Sequence, residues 1–80
     1  MSNAVRDRLQ EVFRTVLELP TGSDVRSISQ ESEPGWDSVA HVWLVSGIES
    51  EFNVSIDTGD SLRITSFESA ERLLREMGVA

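Results

Sequence analysis

Residues 35–45 read GWDSVAHVWLV, and the way this stretch folds governs how the rest of the chain must pack around it. Pro34-Gly35 breaks the chain just before it, and Asp37-Ser38 stands at the mouth of the apolar run. Asp is a good helix N-cap, so Ser38 is expected at the first helical position. From Val39 to Val45 only His41 is polar. On a wheel of about 100° per residue, His41, Leu44, Val45, Ile48 and Phe52 gather on one side, the expected core face. Val39, Val42 and Trp43 fall on another arc, beside Ser46 and Ser50. A helix that is apolar nearly all round is normally surrounded by other elements. The remainder of an 80-residue chain cannot easily surround it, so one apolar strip is expected to stay exposed and to meet a partner. The competing expectation is that the preceding loop covers Val39 and Val42.

Working outward, VRDRLQEVFRTVLEL has apolar residues at Val5, Leu9, Val12, Phe13, Val16 and Leu17, a helical spacing. A first helix is expected over about 4–19, stopped by Pro20 and Gly22. Residues 20–36 are rich in Ser, Asp, Glu, Gly and Pro and read as a long loop, anchored inward by Val25 and Ile28. The second helix is expected over about 38–52, and NVSIDTGD breaks it with Val54 and Ile56 turned to the core. GDSLRI supports a short helical turn, about 58–63. TSFESAERLLREMG supports a last helix over about 66–77, with Thr65 and Glu68 spaced as a capping box and Gly78 as its C-cap. Phe67, Ala70, Leu73, Leu74 and Met77 form its apolar face. No strand or repeat is apparent. The expected fold is all-α, a small bundle of three main helices plus one short helix, as a single domain over 1–80.

Composition narrows the function. Fourteen acidic residues face seven basic ones, a formal charge of −7 at pH 7. That sign repels phosphate backbones and anionic membrane surfaces and attracts basic partner surfaces, so no nucleic acid or membrane is expected as partner. There is no Cys, hence no disulfide or thiolate chemistry, which fits a cytoplasmic protein. The apolar runs are too short to span a bilayer, and the opening MSNAVRDRL has no apolar h-region.

The stretch DSVAHVWLVSGIESEFNVSI resembles the acyl carrier protein family. It has the Asp-Ser pair, apolar residues at 39, 42, 44, 45 and 48, Glu49, an aromatic at 52 and apolar residues at 54 and 56, without a gap. TGDSLRITSFESAERLL continues in register, so the resemblance covers Gly35 to Leu74, while the first helix and loop match in layout. It implies an acyl-carrier-like bundle in which Ser38 carries 4′-phosphopantetheine, taken from coenzyme A by a separate phosphopantetheinyl transferase. An acyl group would ride as a thioester on the arm's thiol, for fatty-acid, polyketide or related biosynthesis. Asp37 would cap the helix and help the transferase recognise it. Val39, Val42, Trp43, Glu49 and Glu51 would dock acyl-activating and condensing enzymes with basic docking surfaces, on a monomer. Family members often carry acids where Ala40 and Trp43 stand here, so contact at Trp43 should be more apolar than usual. Asp57 replaces a frequent Pro, a departure expected to matter little. GWDS resembles discrete carriers of specialised pathways, and the GGHS or GGDS of peptidyl carriers is missing.

An enzyme is the rival class. Ser38 and His41 stand at i, i+3 with Asp37 adjacent, but Asp37 is poorly placed to orient His41 from the same helix start, and the chain is too small for a cleft. Two further classes stay open: an unmodified helical interaction domain of carrier fold, and a peptidyl or aminoacyl carrier.

Overall fold

The computed structural model describes residues 4–79; Met1, Ser2, Asn3 and Ala80, which the expected domain 1–80 includes, lie outside the described residues. Four helices follow in order: α1 Ala4–Leu17, α2 Ser38–Phe52, α3 Thr58–Ser61 and α4 Phe67–Glu76. The only sheet-like pairing among the described residues is one antiparallel bridge, Ser29 with Ser66. None of these helices is long and apolar enough to cross a membrane.

The helix ends differ from the sequence expectation, for local reasons. α1 ends at Leu17 rather than near residue 19, before Pro20 and Gly22 act. Glu18 turns into the left-handed region (φ 56°), and the amides of Glu18 and Leu19 bond back to the carbonyls of Thr15 and Arg14. This is a Schellman ending, built on Glu where Gly is usual. Asn53 ends α2 in the same way, with φ 55°. α3 stops at Ser61, two residues short of the expected 63, because Leu62 and Arg63 continue only as a turn. Asp57, expected to matter little, is the N-cap of α3 and accepts the Asp60 amide at 2.8 Å. α4 starts at Phe67 and ends at Glu76, one residue inside the expected span at each end. Its capping box joins Ser66 and Ser69, not Thr65 and Glu68, since Ser69 reaches back to the Ser66 amide at 3.0 Å.

The core is built from α1, α2, α4 and the segments between helices, while α3 buries none of its residues. Leu9, Phe13 and Leu17 of α1 meet Leu44, Ile48 and Phe52 of α2, and Phe67, Ala70, Leu73 and Leu74 close the base from α4. Phe13 is the hub, edge-on to Trp36 at 5.5 Å and to Phe67 at 5.1 Å. Gly47 lets α1 approach closely: a Cβ there would lie 3.0 Å from Val12 Cγ1. At the rim Arg8 pairs with Glu51 at 2.7 Å and lies over the Phe52 ring at 4.7 Å, tying α1 to the end of α2.

The long loop is fastened at several points. Val25 is fully buried and Ile28 packs against the core. The Gln30 amide bonds to Thr65 and the Phe67 amide to Ile28, pinning the loop to the start of α4. Arg14 reaches the Ser23 carbonyl at 2.8 Å. Within the loop, hydrogen bonds from the Arg26 side chain and amide hold the Asp24 carboxyl below its ordinary range.

Truncating the hub tests this packing. Phe13→Ala should remove about 3–5 kcal/mol. At roughly 4–8 °C per kcal/mol for a domain of this size, the thermal midpoint should fall by more than about 12 °C, or the chain should fail to fold. A shift of only a few degrees in a circular-dichroism melt would show that Phe13 is not the hub.

Candidate functional site

Asp37 sits in extended backbone and accepts the Ala40 amide at 2.8 Å, as the N-cap of α2. Ser38 is therefore the first residue of the helix. It is exposed, and its hydroxyl has no hydrogen-bond partner among the described residues. Asp37 satisfies one of the helix's opening N–H groups and the Asp37 carbonyl takes the His41 amide. The amides of Ser38 and Val39 are left without an acceptor among the described residues, beside the positive end of a helix of 15 residues. A nucleophilic oxygen here faces solvent, in a setting that favours an attached anion.

Trp36, which in the sequence is no more than a letter of the GWDS motif, holds this arrangement. It is 3% exposed and packs on Phe13. Its indole N–H donates to His41 Nδ1 at 3.0 Å, and the two rings stack at 6.1 Å. An indole N–H can only donate, so Nδ1 is an acceptor and the proton of the neutral ring is on Nε2. Nε2 lies 3.0 Å from the Ser61 carbonyl, to which it donates. His41, expected inside the core face, is instead half-buried at the boundary, linking the loop, α2 and the end of α3. With Nδ1 facing Trp36 and Nε2 facing Ser61, the ring offers no free nitrogen to take a proton from Ser38.

The remaining predicted residues separate into two groups. Val39, Val42 and Trp43 are 65%, 64% and 65% exposed, so the loop covers none of them. Glu49 and Glu51 are engaged within the chain. Glu49 accepts the Ile56 amide at 2.6 Å and clamps the turn after α2, while Glu51 holds Arg8. A fourth large apolar residue, Leu62, is 72% exposed; it sits in a short turn with no periodicity to mark it in the sequence. A shallow depression beside Ser38 is lined by Val16, Leu17 and Glu18 from the end of α1 and by Gly35, Asp37, Val39, Ala40 and Trp43. No cluster of His, Asp and Glu among the described residues could hold a metal ion.

The Trp36–His41 bond can be tested without emptying the core. Trp36→Phe keeps a ring against Phe13 but leaves Nδ1 without its donor. Loss of a net hydrogen bond, about 1 kcal/mol, should lower the thermal midpoint by roughly 4–8 °C. An unchanged midpoint would show that the bond contributes nothing.

No family model and no solved structure matches the chain. Among curated proteins it is similar to acyl carrier protein 1, chloroplastic, of Hordeum vulgare, with 31% identity over 71 residues, 89% of this chain and 48% of that one. It is also similar to acyl carrier protein 3, chloroplastic, of Cuphea lanceolata, with 31% identity over 70 residues, 88% of this chain and 49% of that one. A third relative, acyl carrier protein 3, chloroplastic, of Hordeum vulgare, shows 28% identity over 71 residues, 89% of this chain and 54% of that one. The chain thus spans about half the length of the curated relatives it matches.

Proposed function

Because this chain is a homologue of acyl carrier proteins over most of its length, we propose that it is a carrier whose Ser38 bears 4′-phosphopantetheine. The observation that carries the reading is an exposed, unpartnered Ser38 hydroxyl at the first position of α2, with two unpaired amides beside it. Those amides and the helix dipole suit a phosphodiester at this oxygen. Asp37 caps the helix and so holds the backbone that carries Ser38. In the loading step Ser38 Oγ attacks the pantetheine-side phosphorus of coenzyme A's pyrophosphate and gives its proton to a base of the phosphopantetheinyl transferase, while the pyrophosphate P–O bond breaks and adenosine 3′,5′-bisphosphate leaves. When attached, the arm supplies a thiol that holds an acyl group as a thioester.

The chain itself carries rather than catalyses: His41 is committed to Trp36 and Ser61, and Asp37 to Ala40. Acyl-activating and condensing enzymes are the partners this role requires, and Val39, Val42 and Trp43 are the residues we assign to docking. A cytoplasmic location rests on the Cys-free composition; the relatives named above are chloroplastic proteins.

Intact mass tests the proposal. Incubation with a broad-specificity phosphopantetheinyl transferase and coenzyme A should add one phosphopantetheine to the wild-type chain and none to Ser38→Ala. A wild-type mass that does not move would overturn the carrier reading and leave an unmodified interaction domain.

A further inference from the structure

Every cationic side chain of the Lys and Arg class in this chain is an arginine; there is no lysine, and there is no cysteine. A guanidinium stays protonated in a folded protein, so none of these arginines offers a nitrogen lone pair. The single histidine is occupied. Nδ1 of His41 accepts the Trp36 indole N–H at 3.0 Å, and Nε2 donates to the Ser61 carbonyl at 3.0 Å. Serine and threonine hydroxyls remain, and these are weak nucleophiles without a base to activate them. The side chains therefore present no free amine, thiol or imidazole to a reactive group attached to the chain.

This bears on cargo because of where Ser38 stands. It is exposed, and the molecule measures only 30 × 28 × 19 Å. From Ser38 Oγ to its sulfur, a phosphopantetheine arm has about as many bonds as five residues of backbone, so it reaches about 17 Å. That length sweeps a large share of the chain's own surface. A group on a short flexible tether meets whatever lies in its reach at an effective concentration of about millimolar. A lysine Nζ in reach would attack the thioester carbonyl carbon; the C–S bond breaks, the nitrogen loses a proton and the thiol takes one. Cargo with a double bond beside the carbonyl has a second point of attack: Nζ adds to the β-carbon, and its proton passes to the α-carbon. Resting on the carrier reading above, we propose that this chain is fitted to hold electrophilic acyl groups, α,β-unsaturated thioesters above all, without acylating or alkylating itself. The arginine-only surface and the committed His41 ring are what make it inert to such cargo.

The probe is crotonyl-coenzyme A, loaded onto the chain by a broad-specificity phosphopantetheinyl transferase and then held at pH ~8.5, where roughly 1% of ordinary lysine side chains are neutral. Hydroxylamine afterwards cleaves thioesters, and intact mass reads any crotonyl group that stays on the protein. The wild type should return to the mass of the chain with its bare arm. Val42→Lys and Ser46→Lys put an amine at exposed positions about one and two turns along α2 from Ser38. Each should retain at least about ten times the wild-type adduct, since the tether supplies the concentration. Ser46→Arg adds the same charge without a lone pair and should stay as clean as the wild type. Both positions are exposed, so the thermal midpoints should not move. A hydroxylamine-resistant crotonyl mass on the wild type would overturn the proposal, and so would lysine variants as clean as the wild type or an adduct on Ser46→Arg equal to that on Ser46→Lys. A wild type that gains no mass from crotonyl-coenzyme A in the loading step fails at the carrier reading instead, and this proposal falls with it.

Discussion

The hydrogen bond from the Trp36 indole to His41 Nδ1 joins the long loop directly to the first turns of α2. Trp36 belongs to the long loop and is buried against Phe13 of α1. His41 stands on the first turns of α2 and reaches the end of α3 through Ser61. Between them lie only Asp37, Ser38, Val39 and Ala40, and Asp37 caps the helix inside that span. The bond therefore closes a small ring around Ser38, fixing the direction of the chain before it and of the helix after it. The exposed hydroxyl is left with no partner among the described residues.

The same economy shapes the surface. A chain with 14 acidic residues would be expected to present them to its partners. On the two helices near Ser38 they are used for capping, for clamping the turn at Ile56 and for holding Arg8 and Arg63. Exposed ion pairs of this kind contribute little stability, typically about 0–1 kcal/mol each. Their consequence is for the surface, because they leave Val39, Val42 and Trp43 as the large exposed side chains of α2.

Much of this was legible in the sequence. The spacing of Leu9, Phe13 and Leu17 and of Leu44, Ile48 and Phe52 marked the buried faces of α1 and α2, because apolar periodicity reports burial directly. The wheel also separated Val39, Val42 and Trp43 from the core. What escaped were single contacts in irregular backbone. Trp36 lies in a loop, where no period shows that an aromatic ring is buried. Glu18 and Asn53 end helices in the left-handed region that Gly usually occupies. Ser66 and Ser69 make a capping box with a hydroxyl where a Glu was expected. Glu49 has the look of a surface acid, and only the fold of the turn after α2 brings the Ile56 amide to it.

The ring around Ser38 fixes the place of one proton. With the Trp36 N–H donating to Nδ1, neutral His41 must carry its hydrogen on Nε2 and give it to the Ser61 carbonyl. Nitrogen-15 NMR of the imidazole above its titration range reads the tautomer directly. The expected result is an unprotonated Nδ1, a protonated Nε2 and a Trp36 indole proton protected from exchange, with the tautomer preference lost in Trp36→Phe. A protonated Nδ1, or a freely exchanging Trp36 indole, would contradict it.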